Sequence, residues 1–111
     1  MTDSLRDLAH STSSFFARFD VHPSVPDAIQ NFREEVNELI EAATDGTNKP
    51  HIAEEAADVM VTAIGVCIAS GVGIDQLIEQ VYKVIAKNDA KTHATHVHLD
   101  GKIRRRVPKA E

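Results

Sequence analysis

Two stretches of helical periodicity are separated by one short interruption, Gly46 to Pro50, and each stretch gathers its apolar residues into a single stripe. At about 100° per residue, the first stripe holds Phe32, Val36, Leu39, Ile40 and Ala43. The second holds Ile52, Ala56, Val59, Ala63 and Val66. Two stripes joined by so short a connection can hide from water only against each other, so the sequence predicts an antiparallel helix pair. Acids border both stripes. Glu35 and Glu38 flank the first, and Glu55 and Asp58, with Thr62, flank the second in the same rotational sense. A spacing of three puts each acid pair on one helix face. Glu34, Glu41 and Glu54 fall on the solvated side.

Packing through the stripes brings Glu35, Glu38, Glu55 and Asp58 toward one point at the edge of the core. Ionised carboxylates there repel one another unless protons or a cation neutralise them. Hard oxygen ligands of this kind suit Mg²⁺, or alternatively Mn²⁺. An acid pair on a helix is ordinarily just a solvated face. Two pairs on matching flanks of adjacent helices are what point to a metal site.

The rest of the chain extends the helical pattern. Residues 3 to 19 place Leu5, Leu8, Ala9, Thr12, Phe15, Phe16 and Phe19 on one broad face. The aromatic cluster Phe15, Phe16 and Phe19 at its end serves either as core packing or, through one of its rings, with Phe19 as the candidate, as a surface for a nucleobase. His22 falls in a loop and reads as solvated. Pro26 opens a helix running to about Thr44, and the segment Asn48 to Pro50 opens another running to about Ser70. After Gly71-Val72-Gly73, a fourth helix from Ile74 to about Lys91 turns Ile74, Leu77, Ile78, Val81, Val84 and Ile85 inward. The expected fold is therefore all-α, a bundle of four main helices over residues 1–92, followed by a basic, His-containing tail over residues 93–111.

From Val59 to Ala69 the third helix is apolar or small on nearly every side, with Met60, Val61, Ile64, Cys67 and Ile68 outside the main stripe. A helix apolar all round must be covered all round. Three short companions can hardly do so, which points to oligomerisation through the central helices, as a homodimer or a dimer of dimers, the alternative being a central helix wrapped within the monomer.

Charge narrows the function classes. A net charge of −5 argues against general nucleic-acid binding, so a phosphorylated ligand would need metal ions as intermediaries. The single Cys67 permits neither a disulfide framework nor a cysteine zinc site. No apolar run has signal or membrane length, and a cytoplasmic location is expected. Lys87, Asn88 and Lys91 share one flank of the fourth helix, where basic residues either complement the helix dipole or meet phosphate oxygens. In the tail, His93, His96 and His98 invite a zinc reading but lack a Cys or a fixed scaffold. The run Lys102 to Arg106 follows an Asp100-Gly101 turn, and reads either as a disordered basic end or as a segment folding back to hold phosphates or a base.

The acids also carry a resemblance. Glu34-Glu35-x-x-Glu38, sixteen residues, then Glu55-x-x-Asp58 resembles the EExxE(12–28)ExxD signature of the MazG-like nucleoside triphosphate pyrophosphohydrolases, over about residues 14 to 92. Lys87-Asn88-x-x-Lys91 is similar in part to a Lys-Asn pair with a following basic residue in that superfamily. The resemblance implies an Mg²⁺-dependent enzyme that splits the bond between the α- and β-phosphates of a (d)NTP, releasing the monophosphate and pyrophosphate. Glu35, Glu38, Glu55 and Asp58 would hold the metal, and Lys87, Asn88 and Lys91 would steady the phosphates. Phosphoribosyl-ATP hydrolysis is an alternative within the superfamily, and a non-catalytic helical dimerisation or regulatory module is one outside it. No Walker-type glycine loop or Ser-His-Asp arrangement competes.

Overall fold

The structure, a computed structural model, describes residues 3–107 of the 111. The predicted helical domain and tail also take in residues 1–2 and 108–111, which lie outside the described residues. The elements are α1 (Ser4–Arg18), α2 (Val25–Asp45), α3 (Lys49–Ala69) and α4 (Ile74–Asp89), then strands β1 (His96–Leu99) and β2 (Lys102–Arg105). All four helices fall where periodicity predicts them.

Local chemistry sets the helix ends. Ser24 caps α2 by accepting the Asp27 N–H at 3.3 Å, and Asn48 caps α3 by accepting the His51 N–H at 3.1 Å. Pro26 and Pro50 occupy the first turns of these helices, where a missing N–H costs nothing. Gly46 closes α2 in the left-handed region at φ 74°, a conformation that only glycine adopts freely.

The chain forms two compact units, Met1–Ile78 and Glu79–Glu111. In the first, α2 packs along α3 and α1 lies on α3. Ala9, Ala28, Ile64 and Ile78 form its buried apolar core, joined by Thr12, whose hydroxyl donates to the Leu8 carbonyl at 2.9 Å. The approach of α1 depends on Gly65. A Cβ built there would lie 3.4 Å from Phe16 Cζ, so the missing side chain makes room for the ring. Valine at position 65 is expected to destabilise the fold by about 1–3 kcal/mol through overpacking. Urea denaturation checks this, and an unchanged midpoint would mean that Phe16 yields freely. Alanine should cost less, because its better helix propensity offsets part of the crowding.

This packing covers, within the chain, part of the surface of α3 that lies outside its main stripe. Ile64 is buried within the chain and Val61 is half-buried, because α1 covers this part of the helix. Met60 alone of the singled-out residues stays mostly exposed, at 52%. A correction concerns α4. Val84 and Ile85, expected to face inward, are about half exposed, as is Tyr82.

In the second unit the tail forms an antiparallel hairpin, with His96 opposite Arg105 and Leu99 opposite Lys102. Asp100 and Gly101 both have positive φ, 53° and 77°, the two-residue turn whose twist matches that of the flanking strands. Arg106 extends the base of the hairpin, its N–H donating to the Thr95 carbonyl at 2.8 Å and its Nε to the His93 carbonyl at 2.7 Å. The Arg run is thus ordered strand through Arg105. Among the described residues the histidines take part in no cluster of three or more metal-ligating atoms.

Candidate active site

The site lies on the first unit, where α2 and α3 face each other. Glu35 of α2 and Glu55 and Asp58 of α3 each offer a carboxylate oxygen, and the three oxygens lie within 4.8 Å of one another. Glu55 is 7% exposed although its side chain is ionisable. Glu38, one turn along α2 from Glu35, is exposed and stands outside this closest trio, yet near enough for its charge to act on both Glu35 and Glu55.

Electrostatics records the crowding. Burial pushes the Glu35 carboxyl above its ordinary value of 4.5, and the charges of Glu38, Asp58 and Glu55 push the same way. Burial also raises Glu55, followed by the nearby Glu38 carboxyl and by Asp58, while His51 pulls it back. His51 Nε2 lies 3.7 Å from Glu55 Oε1, one helical turn away. Glu35 Oε2 and Glu55 Oε2 are both buried and accept no hydrogen bond. Buried carboxylate oxygens are normally paired. Two unpaired ones aimed into a set of hard oxygen donors fit a divalent cation, with Glu35, Glu55 and Asp58 as the residues to hold it.

A cavity of about 250 Å³ adjoins Glu35. Phe15 and Phe16 of α1, Pro23, Val61 and Gly65 supply its apolar wall, and Asn31, Glu35 and Thr62 supply polar groups. It is smaller than the roughly 300–1,000 Å³ of a site for a drug-sized ligand. Phe19 does not line it. That ring is 63% exposed, packs on Phe15 with centroids 5.2 Å apart, and lies beneath the Arg18 guanidinium. Sequence reasoning took the cluster Phe15, Phe16 and Phe19 as the source of a base-facing ring and committed to Phe19, whereas Phe15 and Phe16 are the members that line this cavity. It also missed Asn31 and His51, although each sits four residues before an acid of the trio and was legible as a same-face neighbour.

Lys87, Asn88 and Lys91 belong to the second unit. The Lys91 ammonium donates to Asn88 Oδ1 at 2.9 Å. Lys83, by contrast, is engaged with Glu79 at 3.1 Å.

The family model described as phosphoribosyl-ATP pyrophosphohydrolase matches residues 3–84 of the chain. That span holds all four acids and ends before Lys87 and the hairpin. No curated protein and no solved structure matches significantly. Among the described residues no helix is long and apolar enough to cross a membrane.

Proposed function

Because this chain belongs to the phosphoribosyl-ATP pyrophosphohydrolase family, within the MazG-like all-α superfamily of nucleotide pyrophosphohydrolases, we propose that it hydrolyses the α–β phosphoanhydride bond of a nucleoside triphosphate in an Mg²⁺-dependent reaction. The observation that carries this reading is the carboxylate trio with its two unpaired buried oxygens. Glu35, Glu55 and Asp58 would hold the cation, with Glu38 beside them. Mg²⁺ bound there would supply charge neutralisation at the phosphates and activation of the attacking water. The protein's own part is to fix the register of the triphosphate. Lys87, Asn88 and Lys91 receive the leaving phosphates in this reading, and Phe15 and Phe16, rather than Phe19, face the base. Membership in a family of hydrolases speaks against a non-catalytic module.

Product analysis in ¹⁸O water tests the proposal. The label should enter the monophosphate, with pyrophosphate released. Inorganic phosphate with a diphosphate product would overturn the register. A second substrate reading, phosphoribosyl-ATP, is favoured by the description of the matching family. Both substrates are cleaved at the same bond, so a panel that includes phosphoribosyl-ATP beside the common (d)NTPs separates them by kcat/KM.

We also propose a cytoplasmic homodimer or dimer of dimers. Met60 on α3, Ile40 on α2 and the pair Val84 and Ile85 on α4 each leave about half of a large apolar side chain in water. Light scattering at micromolar concentration should show no monomer, and Met60→Glu should shift the distribution toward it.

A further inference from the structure

The two units differ in charge. Residues 1–78 hold four Lys or Arg against thirteen Asp or Glu, a formal −9, whereas residues 79–111 hold eight against four, a formal +4. Part of the positive charge converges. A cleft of about 500 Å³ between the end of α4 and the hairpin is lined by Lys87 and Lys91 from the helix, and by Thr95, His96 and Arg105 from the hairpin, over a floor of Ala90 and Ile103.

Among the described residues, no carboxylate pairs with Lys87, Lys91 or Arg105. Three cations facing one space without a counter-ion are unfavourable in the free protein, and an anion relieves them. Their convergence registers on the imidazole between them. Burial lowers His96 below its ordinary 6.5, and the charges of Lys91, Arg105 and Lys87 lower it further. Thr95 Oγ1 holds that ring through Nδ1 at 2.7 Å, leaving Nε2 without a hydrogen-bond partner among the described residues. Asn88 holds the Lys91 ammonium, which limits its freedom before any ligand arrives.

We propose that the end of α4 and the hairpin form a polyphosphate-binding cleft within the second unit, with His96 and Arg105 joining Lys87 and Lys91 to bind a pyrophosphate group. The choice of ligand rests on the reaction proposed above. Lys87 and Lys91 share in the superfamily resemblance, whereas His96 and Arg105 do not and lie beyond the span of the family match, so what is new is the contribution of the hairpin. Arg105 supplies a planar fork suited to two oxygens of one phosphate, and the two ammonium groups act as point charges on the next.

The test uses the full chain in EDTA, so that no divalent cation recruits the acidic trio, with inorganic pyrophosphate as probe and calorimetry together with NMR as readouts. Saturable binding should shift the His96 ring resonances. Lys87→Ala and Arg105→Ala should each weaken it about tenfold, the worth of one charge-assisted contact. Arg104→Ala removes the same charge from the opposite face of β2 and should change affinity less than twofold. Equal losses from Arg104→Ala and Arg105→Ala would reduce the effect to diffuse charge and overturn the proposal, as would binding that leaves His96 unmoved, or no saturable binding. Lys87→Ala leaves the hairpin sequence intact, so the test survives if Arg105→Ala unfolds it. In Mg²⁺-dependent turnover, Arg105→Ala should raise KM more than it lowers kcat. Turnover without pyrophosphate binding would sink this inference alone, and pyrophosphate binding without any α–β hydrolysis would sink the proposed reaction instead.

Discussion

Glu55→Gln is expected to lower turnover by about 10²–10³-fold without destabilising the metal-free protein. Glu55 is nearly buried and one of its oxygens has no hydrogen-bond partner, so its charge is held in place at a cost. Glutamine keeps the volume and removes the charge. Its amide N–H can donate to the neighbouring carboxylates, which offsets the loss of the His51 contact at 3.7 Å. For a hard cation, however, a neutral amide replaces an anionic ligand at the most buried member of the trio. Steady-state kinetics with a thermal melt in EDTA checks both halves. Glu34→Gln is the control. Its carboxylate is exposed, lies on the solvated side of α2 and accepts from Gln30 Nε2 at 3.4 Å, so activity should be unchanged. Equal loss from the two substitutions would contradict the assignment of faces.

Mg²⁺ should raise the melting temperature, and the size of that rise should depend on pH. Binding to the folded state alone adds about 2.7 kcal/mol at a hundred times Kd, or roughly 10–20 °C for a domain of this size. Glu35 and Glu55 both have folded-state values above 4.5. A raised value means that the folded state holds these protons more tightly than the unfolded chain. Their contribution to metal-free stability is therefore fully present below about pH 4.5 and is lost as pH rises through the folded values. Protons and metal compete for the same oxygens, so the Mg²⁺ increment should grow over that rise and fade as pH is lowered through it. Melts on a grid of pH and Mg²⁺ read this directly. No increment at any pH, or the same increment in Glu55→Gln, would show that the trio does not bind the ion.

Four helices and the acidic set were legible because both are properties of spacing. Helical hydrogen bonds run between residues four apart, so stripes, helix limits and flanking acids are written locally, and Pro26, the start at Asn48 to Pro50 and the interruption at Gly46 stand in the sequence as they stand in the structure. The turn at Asp100-Gly101 was legible for the same reason. Its strands were not, because four residues each are too few for an alternation to stand out from a basic tail.

The sequence by itself thus determined the helix count and limits, the matching flanks that carry Glu35, Glu38, Glu55 and Asp58, and the resemblance those residues bear to a family. Tertiary structure alone decided what depends on how one element crosses another. The seating of Phe16 over Gly65 buries Ile64, leaves Met60 in water and puts Phe16 rather than Phe19 beside Glu35. Likewise, Lys87 and Arg105 are eighteen residues apart, and no periodicity relates a helix end to the second strand of a hairpin. Only the return of the chain brings their charges to one cleft, because electrostatic fields act through space and not along the sequence.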